Sequence, residues 1–367
     1  MILNQVIIYI LVGFIILSAL DKIFGNKLGL GKKFDEGFMA MGSLAIAMLG
    51  MISIAPVLAR YLAPLITPVY KFIGADPAMF AGTFLANDMG GYHLALKLAS
   101  SSEAGLLSGL IVASMMGATL VFTIPVALGI IEKSDYEFLA LGILSGIITI
   151  PLGAFFAGIF AGFNIGMIII NLLPILILAV AITFGLCKFP KLMIKCFNYF
   201  GKFITAIITL SAVAIIIETL TSFVIIPGMA PISESLKIIG SITIILVGAY
   251  PMVYAITTIF KKYLVAGGKK LNINDKSAAG LITSLANNIP MFSMFKEMDN
   301  RGKVINVAFA VSAAFVLGDH LGFTASVNTN MILPVIGGKL IGGLTAIMVA
   351  MFVYNRIYLK KDNKLLE

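Results

Sequence analysis

Apolar runs of 18 residues or more recur along this chain, separated by short stretches of charge, glycine and proline. A run of that length with few charges is long enough to cross a bilayer as a helix. The runs do not alternate apolar and polar positions with a period of two, so they read as helices rather than barrel strands. The pattern predicts nine helices, near 3–24, 38–60, 104–131, 136–162, 165–186, 202–226, 236–260, 303–326 and 329–354. Two further apolar segments, 77–98 and 277–297, are interrupted at their centres by Asn-Asp-Met-Gly-Gly and by Asn-Asn-Ile-Pro. The expected fold class is an all-α polytopic membrane protein.

The interrupted segments are counterparts. "MGSLAIAMLG" (41–50) matches "IGSITIILVG" (239–248) at an offset of 198, and "LAND" (85–88) matches "LANN" (285–288) at an offset of 200. A repeat of this length divides the chain into two five-element transmembrane units, 1–162 and 202–354, each with its interrupted segment third. Residues 163–201 then form a linker helix and a basic cytoplasmic loop, and 355–367 a cytoplasmic tail.

Charge decides how the units lie. The chain is 60% hydrophobic and 12% charged, against about 25% charged in a soluble domain. Its net charge of +9 comes from Lys and Arg in short loops between apolar runs, which is the positive-inside pattern and argues against nucleic acid as a partner. If both interrupted segments crossed the bilayer, the Lys-rich stretches 22–33 and 188–202 would lie on opposite sides. If each enters and returns on one side as a re-entrant hairpin, the basic stretches 22–33, 188–202, 261–276, 296–303 and 356–364 share one face. The second arrangement puts the amino terminus outside and the carboxyl terminus in the cytoplasm. It also makes the units inverted-topology repeats, the architecture of secondary transporters, whose substrate site lies at the midplane where the breaks meet. The first run, Leu3 to Leu20, lacks a preceding Lys or Arg and a small-residue cleavage site, so it is expected to be retained as a helix. Cys187 and Cys196, the only cysteines, have neither metal-ligand nor disulfide spacing. No cofactor or metal is expected.

Among 17 acidic residues, only Asp88, Glu218 and Asp319 sit well inside apolar runs, and the two histidines, His93 and His320, accompany two of them. A charge at a helix centre costs about 2.5–3.5 kcal/mol on insertion scales, so such residues are functional candidates. Asp88 reads as a ligand for a cationic substrate or coupling ion, or as a carboxylate capping a half-helix at the Gly90-Gly91 turn. Asn287-Asn288 followed by Pro290 is a helix-end signal. As the repeat-mate of Asn87-Asp88 it would face the same cavity, and its amides can donate to and accept from a hydroxyl.

Asp319 and His320 lie between Gly318 and Gly322, and neighbouring residues of a helix point to different faces, so the pair can line one side only if the helix unwinds at those glycines. His93 could relay a proton near neutral pH or be structural. Glu218 reads as a hydrated, structural residue near the outer end of its helix or as a proton site, and Lys339 could snorkel or pair with a carboxylate. Asp88, Asn287, Asn288, Asp319, His320, Asn87 and Tyr92, with breaks at Gly90, Gly91, Pro290, Gly318 and Gly322, suit a small organic cation with hydrogen-bonding capacity. A carboxylate would meet its ammonium, an aromatic face would flank it, and an amide would take its hydroxyl. One alternative is an ion-coupled symporter of another small polar solute, with the carboxylates holding H⁺ or Na⁺. Another is a membrane-embedded enzyme using Asp319 and His320 as acid and base, but the chain offers no nucleophile motif, metal cluster or phosphate loop.

The blocks "FDEGFMAMGSLAIAMLGM", "DPAMFAGTFLANDMGG", "IPVALGIIEKSD", "GAYPMV", "LANNIPMF" and "RGKVINVAFAVSAAFVLGDHLGF" occur in order. Through them the chain resembles, over nearly its whole length, the EutH family of ethanolamine transporters of ethanolamine-utilisation operons. The resemblance implies a bacterial cytoplasmic-membrane permease, not an enzyme, that supplies ethanolamine to a cytosolic ammonia-lyase pathway. It fits Asp88, Gly90, Gly91, Asn287, Asn288, Pro290, Asp319 and His320, whereas Asn87, Tyr92 and His93 stand where the family pattern has other residue types. On this reading the ammonium form enters, since an amine titrating near the Lys reference of about 10.4 is protonated at pH 7. Asp88 with Asp319 would hold the ammonium, Asn287 and Asn288 the hydroxyl, and hinges at Gly90-Gly91 and Pro290 would permit alternating access. The implied partners are ethanolamine and the lipid bilayer, and a homo-oligomer is compatible with them.

Overall fold

The computed structural model describes residues 2–86, 89–259, 268 and 270–359, and among them there is no strand. The first half comprises α1 (Ile2–Ile23), α2 (Leu30–Ile73), α3 (Ala78–Phe84), α4 (Gly91–Leu98), α5 (Ser102–Ile130) and α6 (Lys133–Phe160), followed by α7 (Ile165–Lys188). The second half comprises α8 (Pro190–Thr221), α9 (Ile232–Ile259), α10 (Asp275–Ala286), α11 (Asn288–Ser293), α12 (Asn300–Ala313), α13 (Asp319–Val327) and α14 (Ile332–Tyr354). Eight of these, α1, α2, α5 to α9 and α14, are long and apolar enough to cross a membrane.

Three elements depart from the pattern read in the sequence. The helix expected over 303–326 is two helices, α12 and α13, with residues 314–318 unwound between them and Phe315 in the left-handed region at φ 61°. The second helix runs for 44 residues, about 66 Å at 1.5 Å per residue, through Pro56, Pro64 and Pro68. Near Pro56 the Ser53 carbonyl accepts a second donor, the Ala230 N–H at 2.8 Å from the loop before α9. Helix α2 ends only at Gly74, whose φ of 80° lets its N–H turn back to the Tyr70 and Lys71 carbonyls. The basic stretch expected as a loop before residue 202 is instead the start of α8, with Pro190 at its first turn.

Helices α2 and α9 form the central pair, and they are antiparallel. Ser53 Oγ meets Ser235 Oγ at 3.2 Å, while a Cβ on Gly37 would lie 2.7 Å from the Val247 Cα. Small residues at these crossings let the backbones approach. The flanking contacts repeat with exchanged partners. A Cβ on Gly50 would lie 2.8 Å from the Ala212 nitrogen of α8, and one on Gly248 would lie 2.6 Å from the Leu11 carbonyl oxygen of α1.

Each interrupted segment doubles back, so that its two ends meet. In the first half, Asp76 accepts the N–H groups of Ala78 and Ser100, both at 2.9 Å. In the second, Asp299 accepts the Asn274 N–H and the Ser277 hydroxyl, both at 2.8 Å, and Asn274 donates to the Glu297 carbonyl at 2.9 Å. Lys276 also pairs with Glu297 at 2.7 Å, and that ammonium holds the Glu297 carboxyl below the ordinary carboxylate range. The outer limbs are packed alike. Gly82 donates its N–H to the Ser108 hydroxyl at 3.2 Å, and Asn306, 198 residues beyond Ser108, donates to the Ser277 carbonyl at 2.9 Å beside Gly280. Asp135, just before the main run of α6, and Lys303 of α12 form a buried ion pair at 2.6 Å, which ties the two halves together on one face. Broad apolar faces of α1, α7 and α8 remain exposed, as lipid-facing surfaces are.

Candidate functional site

The site is built where two helix breaks adjoin. Asn287 is extended, at φ −158° and ψ 141°, and its side-chain oxygen accepts the Ile289 N–H at 2.8 Å, starting α11 immediately after α10 stops. A helix end leaves carbonyls without intrahelical donors. The unwound stretch supplies them: the Phe315 N–H reaches the Ser284 carbonyl and the Leu317 N–H reaches the Leu285 carbonyl, both at 2.9 Å. Gly318 rests on the Ala286 backbone, where a Cβ would collide with the carbonyl oxygen. The two breaks therefore satisfy each other's backbone, which is how irregular chain survives inside a helical bundle.

Asp319 opens α13 directly after this stapled stretch. A carboxylate at a helix N-terminus is favoured by the exposed amides there. The Tyr250 hydroxyl of α9 donates to Asp319 Oδ1 over a long 3.4 Å. Tyr250 also lines a cavity of about 500 Å³ together with Lys33 and Glu36 of α2, Tyr254 of α9, and Asn287 and Pro290 at the break between α10 and α11. At the break the cavity lining thus offers an amide, a phenol and, hydrogen-bonded to the phenol, a carboxylate.

The structure separates several residues that the sequence had grouped. Asn288 is fully buried and turned toward α5, where its amide donates to Thr123 Oγ1 at 3.1 Å; its side-chain oxygen has no partner among the described residues. His320 is buried against Phe315, with ring centroids 5.1 Å apart, and does not line the cavity. Tyr92 is a buried packing residue, edge-on to Phe323 at 5.4 Å and to His93 at 5.3 Å. Asn87 and Asp88 lie outside the described residues.

The glycine hinges are likewise redistributed. Gly90 has ordinary helical angles, and the left-handed residue at that turn is Met89, at φ 67°. Gly91 is needed for close approach, since a Cβ would lie 2.9 Å from the Ala81 and Leu85 carbonyl oxygens. Gly318 marks a break, whereas Gly322 lies within α13 against Ile242 and Leu246. Glu218 is half-buried in the last turn of α8. Lys339 neither snorkels nor joins a carboxylate among the described residues. It is buried in α14 and donates to the Ser114 carbonyl at 2.5 Å, in a π-helical stretch of α5 spanning Leu107–Gly117. The wider π-helical turn leaves room for such an added donor.

Tyr250, Tyr254, Lys33 and Glu36 escaped the sequence reading. The only signal for Tyr250 was Pro251 inside an apolar helix, and Lys33 and Glu36 read as ordinary loop charges because helix α2 was expected to start later. Among the described residues no group of three His, Cys, Asp or Glu side chains is placed to hold a metal ion.

Among the described residues eight helices are long and apolar enough to cross a membrane, and two of them, α2 and α9, line a cavity together with the helix break at Asn287; these features define a polytopic α-helical membrane protein. A family model described as ethanolamine utilisation protein, EutH, matches residues 3–353. A probable ethanolamine permease EutH of Listeria monocytogenes is 56% identical, over 99% of this chain and 97% of its own length. Those of Salmonella typhimurium and Escherichia coli K12 are each 49% identical, over 96% of this chain and 95% of theirs. No solved structure matches. The chain belongs to the EutH family.

Proposed function

We propose that this protein is a secondary transporter that imports ethanolamine as its ammonium cation, and not an enzyme. The observation that carries the reading is the cavity of about 500 Å³ lined by Asn287 and Tyr250, with Asp319 hydrogen-bonded to the tyrosine. Relatives at 49–56% identity bear the name of ethanolamine permeases. The substrate is two heavy-atom groups long: an ammonium that needs a carboxylate and a hydroxyl that needs an amide. Asp319, joined by Asp88 as the repeat-mate of Asn288, holds the ammonium, and Asn287 takes the hydroxyl. Asn288 acts from behind by fixing the break to Thr123.

The two interrupted segments are re-entrant hairpins and the halves are inverted repeats. Support comes from the hydrogen bonds that join the two ends of each segment, from the antiparallel α2–α9 pair, and from the Asp135–Lys303 pair, which brings together two loops that a fully crossing topology would put on opposite sides. The basic stretches then face the cytoplasm of a bacterial inner membrane, with the amino terminus outside. Lys33 and Glu36, both partly exposed, line the cavity beside the basic stretch 22–33, which supports a conformation open inward. Toward the other end of the α2–α9 pair lies a smaller pocket of about 300 Å³, near Glu234, Lys237, Ser241 and Ser326. Alternating access exchanges these two openings by rocking around the stapled breaks.

Purified protein in liposomes tests this reading. Saturable uptake of labelled ethanolamine, with counterflow driven by unlabelled ethanolamine, is expected, and Asn287→Ala should raise the half-saturation concentration about tenfold, as loss of one hydrogen bond to the substrate does. Flux that rises linearly with concentration and shows no counterflow would exclude a carrier.

A further inference from the structure

At the cavity mouth a primary ammonium is already bound, and it is the chain's own. Lys33 Nζ lies 2.6 Å from Glu36 Oε2 and 5.7 Å from the centroid of the Tyr254 ring. A carboxylate oxygen at charge-assisted distance with an aromatic face alongside is the chemistry that recognises an alkylammonium ion. The arrangement is built. Tyr254 is backed by Gly29, where a Cβ would lie 2.8 Å from the phenol oxygen, and Gly29 holds φ 77° at the start of α2. Glu36 and Lys33 sit one helical turn apart on α2 with side chains 40% and 30% exposed, so the pair is open to exchange with solvent cations. All three side chains line the same cavity as Asn287.

We propose that Glu36 and Tyr254 form a second, peripheral ammonium subsite at the mouth of the cavity, and that Lys33 is a tethered occupant that a free primary ammonium displaces. Substrate moving between the cavity and the adjoining solution pauses on Glu36 while Lys33 swings aside, and the lysine returns once the substrate has passed. Lys33 thereby keeps the carboxylate neutralised in the empty state. The repeat does not reproduce the pair at the opposite end: Glu234 is the repeat-mate of Glu36 at the offset of 198, but Pro56 stands where Tyr254 would be. The subsite therefore acts on one side of the membrane only.

This inference rests on the transporter reading, and sided kinetics separate the two. Half-saturation for labelled ethanolamine entering by the Lys33 mouth is measured as counterflow in oriented vesicles, for the wild type, Lys33→Met, Glu36→Gln and Tyr254→Leu. Exposed ion pairs contribute up to about a factor of five, so Glu36→Gln and Tyr254→Leu should each raise half-saturation about three- to fivefold from that mouth and leave the opposite mouth unchanged. Lys33→Met should lower it by a similar factor, a gain that misfolding cannot imitate, and Lys33→Met combined with Glu36→Gln should behave as Glu36→Gln. Saturable wild-type counterflow with unchanged half-saturation in Lys33→Met and Glu36→Gln would overturn the subsite alone. Absence of saturable counterflow in the wild type would overturn the transporter reading and the subsite with it.

Discussion

Replacing Lys303 by Met strands a charge. The Lys303–Asp135 pair is 2.6 Å long, each side chain is only 9% exposed, and the rings of Phe138 and Phe295 lie 5.5 and 5.8 Å from the ammonium. At an effective dielectric of about 20 the direct attraction is about 6 kcal/mol, most of it offset by desolvation. Lys303 sits in the first turns of α12, where the exposed helix amides oppose a cation. Asp135 answers the ammonium, while Asp299 caps the helix end by accepting the Gly302 N–H. Removing one partner leaves a buried charge unanswered and should cost about 3–5 kcal/mol, roughly a hundred- to several-thousand-fold in the folding equilibrium. Lys303→Met combined with Asp135→Leu should recover to within about 1 kcal/mol of the wild type, because two apolar groups then fill the site. Equilibrium unfolding in mixed detergent and dodecyl sulfate micelles, followed by far-UV circular dichroism, reads both. A single-variant loss below about 1 kcal/mol would place the pair in the solvated class and refute the reasoning.

Three further outcomes follow from the breaks. Gly318→Ala must displace the Ala286 carbonyl, so it should cost about 1–3 kcal/mol and reduce uptake disproportionately, measured by the same unfolding assay beside liposome flux. Asn288→Ala removes the donor to Thr123 and should cost about 1–3 kcal/mol, whereas Asn288→Ala with Thr123→Val should be milder than the single change. Asp76→Ala opens the base of the first hairpin, losing the bonds to Ala78 and Ser100. It should cost about 1–2 kcal/mol and speed proteolysis between residues 74 and 101, with no change if the hairpin ends are not joined.

Hydropathy made the membrane class and eight of the nine spans legible, and the matched offsets exposed the paired interruptions. What stayed hidden were features that a neighbour rather than the local sequence decides. The second helix was expected to stop near residue 60, yet α2 runs on through Pro64 and Pro68 to Ile73, since prolines are tolerated in spanning helices where the surrounding bundle satisfies the backbone. The stretch "AAFVLGD" reads as continuous helix, and only Gly318 hints at a break. Its unwinding is stabilised by the carbonyls of Ser284 and Leu285, some 30 residues earlier in the chain. The π-helical turns of α5 leave no compositional trace, so the destination of Lys339, a carbonyl exposed by those turns, could not be read from spacing. Asn287 was legible because Pro290 and the repeat both pointed to it. Its cavity partner Tyr250 was not, since a tyrosine in an apolar helix is ordinarily core.

The most direct test is a structure determined with saturating ethanolamine in lipid. The account predicts density for one ethanolamine in the cavity beside the break, its nitrogen within hydrogen-bond distance of the Asp319 carboxylate and its oxygen at the Asn287 amide, with Tyr250 moved aside. Density confined to another part of the molecule, or an inner cavity unchanged at concentrations that saturate transport, would contradict it.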